Sequence, residues 1–286
     1  MRSLLFVPGD SPRKFARALA SAADALILDL EDSVAPDNKV TARGETAGML
    51  AGRRQGQALY VRVNPPETGL ALADLAAVMP ARPDGIVLPK CAGGEDVRRL
   101  GLWLDAFEAA AGTEPGRTRI IAIATETAGS IFGLGSYHHA GPRLAGLMWG
   151  AEDLSASLGA TENGGADGFH SPYRLARDLC LMGAAAAEVA AIDTVHTAID
   201  DLASLAADAR AARRDGFAAK ALIHPSHVDP VNAAFTPSEA ERAWATRIVE
   251  AFAADPAAGV LRIEGRMIDK PHLRAARKVL GLPPSP

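Results

Sequence analysis

Short apolar runs recur along the chain, each closed by a polar or turn residue and followed by a longer Ala-rich stretch whose apolar positions return at helical spacing. A strand covered on both faces reads as such a run, and a helix packed on it as a stripe with a period of about 3.6. The pattern predicts strands over 4–7, 25–30, 59–63, 85–88, 120–124, 144–149, 189–192 and 221–223. It predicts helices around 12–22, 40–51, 70–78, 95–111, 130–137, 173–186, 201–215 and 238–253. Eight βα units within 286 residues point to the α/β class, as a closed TIM (β/α)8 barrel with a C-terminal extension. No Ser/Gly-rich linker divides the chain, so a single domain is predicted over 1–286, with 255–286 as the extension. An ordered tail beyond a complete barrel packs on something, and a neighbouring subunit is one candidate.

Composition narrows the partners. Thirty Lys+Arg against 34 Asp+Glu leave a net charge of −4, without the basic block that a phosphate backbone requires, so nucleic acid is not an expected partner. Apolar runs stop well short of the roughly 18 residues that argue for a membrane span, and the opening run before Pro8 is shorter than the about 7–15 of a signal peptide. Two cysteines, Cys91 and Cys180, can neither staple so long a chain nor form a zinc site, and a cytoplasmic location is expected. Gly93-Gly94 and Gly164-Gly165 fit neither the dinucleotide fingerprint nor a P-loop, and no G-x-S-x-G elbow appears. His138, His139 and His224 lack the partners of a zincin set and read as loop or core residues.

The chemistry gathers at the strand ends. The runs at 27–32 and 121–126 begin apolar and turn acidic only at their C-terminal ends, the end of a barrel where active sites sit. Arg62, Lys90 and the pair Glu152-Asp153 follow other strands in the same way. Glu126 and Asp153, after the fifth and sixth strands, suit the all-oxygen shell of Mg²⁺ completed by water and substrate. The same acids equally suit helix capping or pairing with arginine. Arg62 has the forked geometry to bind a substrate carboxylate, or to pair internally with Glu31, Asp32 or Glu126. Lys90 carries the same two readings, and Gly150 and Ala151 are candidate amide donors to an anionic oxygen or simple turn residues.

Ten ordered segments then form a resemblance: LLFVPGDSPRKF (4–15), LILDLEDSV (26–34), VRVN (61–64), GIVLPK (85–90), Glu126-Thr127, GAEDL (150–154), AID (191–193), IHP (223–225), AFTPS (234–238) and MIDKPHL (267–273). The chain resembles, nearly end to end, the citrate lyase β-subunit-like family, which includes malyl-CoA and citramalyl-CoA lyases. That resemblance implies a TIM barrel with Mg²⁺ on Glu126 and Asp153 and a substrate carboxylate held by Arg62. It also implies Asp269 as acid/base, reaching the mouth from a neighbouring subunit of a homo-oligomer, a trimer or hexamer. An apolar setting that raises the Asp269 pKa is expected for that role. The residue also suits the N-cap of the last helix, ahead of Pro271.

The implied activity is a Mg²⁺-dependent carbon–carbon lyase that interconverts a short 3-hydroxyacyl-CoA thioester with acetyl-CoA and a small 2-oxo acid. Three alternatives share the motifs: a malyl-CoA thioesterase or malate synthase-like enzyme, a citrate lyase β subunit acting on an acyl-carrier-protein thioester, and a metabolite-binding or scaffolding barrel. Ala219, His196 and His227 replace the Gly, Tyr and Gln that are usual in this family, and these positions bear on substrate identity rather than on the metal pair.

Overall fold

The computed structural model describes residues 1–52, 56–165 and 168–283. Its strands are β1 (Ser3–Pro8), β2 (Ala25–Asp29), β3 (Ala58–Arg62), β4 (Gly85–Leu88), β5 (Arg119–Ile123), β6 (Leu144–Met148), β7 (Gly164–Gly165), β8 (Gly168–Phe169), β9 (Ala190–Asp193), β10 (Ala219–Leu222), β11 (Val260–Ile263) and β12 (Arg266–Asp269). The helices are α1 (Pro12–Leu19), α2 (Lys39–Ala51), α3 (Ala71–Val78), α4 (Gly94–Ala110), α5 (Glu152–Leu158), α6 (Ser171–Ala186), α7 (Leu202–Asp215), α8 (Val228–Phe235), α9 (Glu239–Ala254) and α10 (Lys270–Val279). β1, β2, β3, β4, β5, β6, β9 and β10 pair in parallel and close into a barrel, β10 bonding back to β1. These eight are the strands that the apolar runs predict.

Side chains alternate along each strand, so one set fills the barrel and the other meets the helices. Leu4, Ile27, Tyr60, Val87, Ile121 and Ile192 belong to the inner core, whereas Leu5, Leu28, Val61, Ile86, Ala122 and Leu222 pack in the outer, helix-facing layer. Gly85 lacks a side chain because the Tyr60 ring occupies the space: a Cβ there would lie 2.3 Å from the ring.

Three elements differ from expectation. The helix predicted at 130–137 is a 3₁₀ segment, Ser130–His139, in which Gly133 and Gly135 weaken the case for an α-helix. Gly133 also lies so close to the Ala92 carbonyl that a Cβ would fall 1.8 Å from its oxygen, and Gly94 has a similar contact with the Ser136 carbonyl. The Gly93-Gly94 pair thus serves backbone packing. The helix following the eighth barrel strand is α8, not 238–253; its Asn232 donates to the Ala22 carbonyl and accepts from the Ser3 hydroxyl. Lastly, Gly164-Gly165 forms a small antiparallel hairpin with Gly168-Phe169, and the Phe169 ring meets Trp149 edge-on at 4.9 Å.

Contacts divide the chain into two compact units, Met1–Phe235 and Thr236–Pro286. The first holds the barrel. The second has its own core of Ala245, Ile248, Phe252, Ile268, Leu273 and Ala276, built from α9, α10 and the β11–β12 ribbon. Ser238 and Glu241 form a capping box at the start of α9. Glu264 and Gly265, both at positive φ, supply the two-residue turn of the ribbon. Among the described residues no helix is long and apolar enough to cross a membrane.

An ion network ties β9 and β10 to the outer helices. The fully buried Lys220 ammonium donates to Asp193 at 2.6 Å and to Asp208 of α7 at 2.7 Å, while Asp193 also accepts from the Trp149 indole and from Arg177 of α6. Removing one partner from such a network strands buried charge and costs about 3–5 kcal/mol. Lys220→Met is therefore expected to lower unfolding stability by that amount in urea titration.

Candidate active site

Counting by two from the inner-layer residues Ile27 and Tyr60 arrives at Asp29 and Arg62, which are register partners at the C-terminal ends of β2 and β3. Both side chains therefore enter the mouth from neighbouring strands. Arg62 Nε and Nη2 donate to the two oxygens of Asp29, each at 2.7 Å, and Nη1 lies 2.8 Å from Glu31 Oε2. The guanidinium carbon sits 5.0 Å from the centre of the Phe6 ring. Burial alone would push the Asp29 carboxyl up, but the Arg62 fork and the Ser33 and Glu31 amides hold it below the usual range. Against the same burial, the acids raise the Arg62 pKa, so it is a permanent cation. The partner that takes its fork, Asp29, is not among those the sequence suggests.

Lys90 follows β4 and takes a left-handed backbone conformation, φ +51°. Its amide donates to Glu126 Oε2, and its ammonium lies 2.5 Å from Glu31 Oε1, 3.4 Å from Asp153 Oδ1 and 3.7 Å from Asp32 Oδ2. Glu126, beyond β5, packs against Gly150, where a Cβ would come within 3.1 Å of Glu126 Cγ. The Gly150 amide donates to Thr125 Oγ1 at 3.0 Å. It is therefore committed, contrary to the expectation that it faces an anion; what Gly150 provides is room for Glu126. Ala151 is buried and caps α5, whose first turn carries Glu152 and Asp153. Thr125 and Phe6 contribute to the mouth without any sequence signal beyond their place at strand ends.

Five carboxylates, Asp29, Glu31, Asp32, Glu126 and Asp153, thus gather around two cations. Burial pushes the Glu126 pKa up to about 8, and the charges of Glu31 and Asp153 add to the shift. Burial likewise raises Glu31, with Arg62 and Lys90 pulling the other way. Oxygen ligands, surplus negative charge and one strongly desolvated carboxylate suit a hard divalent cation, which would relieve the strain on Glu126. Glu126 and Asp153 are the residues that would hold it. Among the described residues no three His, Cys, Asp or Glu side chains form a ready-made cage.

Arg62, Lys90, Glu126, Gly150, Ala151 and Asp153 are therefore grouped at one rim. Asp269 belongs to the second unit, where it caps α10: its carboxylate accepts from the His272 amide and meets His272 Nδ1 at 2.5 Å. Within its own chain the hydrogen bond with His272 holds the Asp269 pKa below its ordinary value. His138 and His224 make only local contacts, with the Gly135 carbonyl and Ser226.

The Glu126 shift has a thermodynamic sign. Between its unfolded value of 4.5 and about 8 in the fold, the folded chain holds a proton that the unfolded chain has released. Stability from this group is present below the lower value and falls as pH rises, by at most about 1.4 kcal/mol per pH unit, levelling off above the upper one. Urea titrations of chelator-treated protein between about pH 5 and about pH 8 are expected to show this decline, and Glu126→Gln to flatten it.

The description HpcH/HpaI aldolase/citrate lyase matches residues 2–225, and C–C bond lyase of the TIM-barrel fold matches residues 174–283. The (3S)-malyl-CoA thioesterase of Cereibacter sphaeroides is 34% identical over 286 residues, spanning 98% of this chain and 93% of the relative. Citrate lyase subunit beta of Escherichia coli is 35% identical over 287 residues, spanning 98% and 92%. Among solved structures, CitE of Mycobacterium tuberculosis in complex with magnesium, acetoacetate and coenzyme A superposes with a TM-score of 0.80 at 33% identity, covering 98% of this chain and 97% of that one. RipC of Yersinia pestis gives a TM-score of 0.68 at 31% identity, covering 84% and 97%. With the barrel, the rim and these matches in agreement, the chain belongs to the HpcH/HpaI aldolase/citrate lyase family, a family of TIM-barrel carbon–carbon lyases.

Proposed function

We propose that the chain is a Mg²⁺-dependent carbon–carbon lyase, or condensing enzyme, that interconverts a short 3-hydroxyacyl-CoA thioester such as malyl-CoA or citramalyl-CoA with acetyl-CoA and a 2-oxo acid. The observation that carries this reading is Glu126, a desolvated carboxylate among other carboxylates at the C-terminal rim. The Mycobacterium tuberculosis relatives support it, since their structures hold magnesium together with acetoacetate and coenzyme A, with oxaloacetate, or with pyruvate.

Glu126 and Asp153 hold the ion in this reading. When bound, magnesium supplies Lewis-acid polarisation of the acid's oxygens and a template for their orientation. Arg62, anchored to Asp29, sets a permanent positive charge below the mouth, where it stabilises the substrate carboxylate and the negative charge that develops on the thioester oxygen as the carbon–carbon bond breaks. With its fork taken by Asp29 and Nη1 beside Glu31, Arg62 acts through its field rather than through a second fork. The Ala151 amide and the Lys90 ammonium are the further donors to the acid.

We assign Asp269 the acid/base role, delivered by a neighbouring copy in a homo-oligomer. Held ionised by His272, it is set to accept the proton of the substrate 3-hydroxyl and to return it to the enolate carbon. Asn is as good an N-cap as Asp, so Asp269→Asn is expected to leave thermal stability nearly unchanged while lowering kcat by about 100-fold or more. Unchanged turnover would remove Asp269 from the mechanism.

A second reading, hydrolysis of malyl-CoA at the same mouth, is favoured by the 34% identity to the Cereibacter sphaeroides thioesterase. Incubation with malyl-, citramalyl- and citryl-CoA, with and without Mg²⁺, separates the two. Cleavage yields 2-oxo acid with the thioester of acetyl-CoA intact; hydrolysis yields free thiol and no oxo acid. We expect oxo acid, dependent on Mg²⁺, and its loss in Glu126→Gln and Asp153→Asn.

A further inference from the structure

Lys90 carries two connections on one residue, and they have different character. Its left-handed backbone is a conformation that non-glycine residues rarely adopt, and it aims the amide at Glu126 while the side chain folds back over the mouth. The ammonium contacts carboxylates from two separate segments: Glu31 and Asp32 beyond β2, and Asp153 in the first turn of α5. The Glu31 contact is short, and its carboxylate is only 4% exposed. Those with Asp153 and Asp32, at 3.4 and 3.7 Å, involve carboxylates 34% and 58% exposed and are longer than a good charge-assisted hydrogen bond. The first is an anchor; the other two can be exchanged for another cation. Arg62 has no such freedom, with its fork on Asp29 and Nη1 on Glu31.

We propose that the Lys90 ammonium is the resident counter-cation of the acid rim, that it competes with the divalent ion for Asp153, and that an anionic 2-oxo acid relieves the competition, so that metal and acid bind cooperatively. The inference rests on the assignment of the metal to Glu126 and Asp153. A divalent ion on Asp153 brings two positive charges against the ammonium, which lowers the affinity of the ion when it binds alone. A substrate carboxylate in the mouth sets one negative charge against both cations at once. Reciprocity then requires that whatever factor the acid adds to metal affinity, the metal adds to acid affinity. The acids hold the Lys90 pKa above its ordinary value, so the residue acts as a charge and not as a nucleophilic amine.

The test is calorimetric titration of the chelator-treated full chain with Mn²⁺, alone and in saturating pyruvate, for the wild type, Lys90→Met, Lys90→Gly and Lys90→Arg. The wild type is expected to bind Mn²⁺ several-fold more tightly with pyruvate present. Removing a unit charge 3.4 Å from Asp153 Oδ1 in a solvated mouth is expected to tighten Mn²⁺ binding alone by about tenfold in Lys90→Met and to shrink the gain from pyruvate. Lys90→Arg is expected to stay near wild type. Lys90→Gly keeps the amide and relieves the backbone, and it is expected to behave as Lys90→Met does; where Lys90→Met fails to fold, Lys90→Gly decides. Wild-type binding of Mn²⁺ with unchanged or weaker affinity in the charge-removing variants overturns the competition and leaves the metal assignment standing. No Mn²⁺ binding by the wild type, with or without pyruvate, overturns both.

Discussion

Desolvated negative charge is the constraint around which the mouth of the barrel is organised. A carboxylate taken out of water must be paired, protonated or bound to a cation. The rim meets this requirement unevenly. Asp29 is fully answered by the Arg62 fork, and Glu31 is shared between Arg62 and Lys90. Glu126 receives one amide, and the charges of Glu31 and Asp153 press on it against the opposing charge of Arg62. The uneven answer leaves Glu126 as the carboxylate least compensated for its burial. Gly150 belongs to the same logic, since a Cβ there would press on Glu126 Cγ at 3.1 Å.

Much of the barrel was legible because a parallel strand covered on both faces has no alternative to a continuous apolar run. All eight runs are strands, and the acids that follow them do collect at one rim. The signal weakened wherever geometry depends on a long-range partner. Arg62 was visible as a chemically pointed residue, but its pairing with Asp29 depends on a strand register that no local pattern displays. The Gly93-Gly94 pair was legible as the absence of a phosphate loop; its actual use, close passage against Gly133 and Ser136, is a contact between distant segments. α8 leaves a weak mark in the sequence because its eight residues follow the eighth strand closely, whereas the longer α9 beyond shows a full helical period. Asp269 illustrates the reverse: its cap is readable from the adjoining Pro271.

The same alternation that separates the two faces of each strand also separates two uses of charge. Asp29 and Arg62 continue the inner set into the mouth, where ligands arrive. Asp193 is the neighbour of the inner-core Ile192, and Lys220 stands between the inner-core residues Ala219 and Ala221, so both face the helices, where Asp208, Trp149 and Arg177 complete their bonds. Charge on the outer face is satisfied internally and holds helices to strands. Charge on the inner face at the mouth is left partly open, and only there does chemistry have something to use.

The register of β2 with β3 also limits how this scaffold can diverge. An insertion or deletion of one residue within either strand would turn every following side chain to the opposite face. Asp29 or Arg62 would then point among the helices, into an apolar layer with nothing to neutralise it. Length variation is therefore confined to the loops beyond the strand ends, where added residues reshape the rim and leave the paired floor intact. Descendants of this chain are free to change what they accept long before they can change what they stand on.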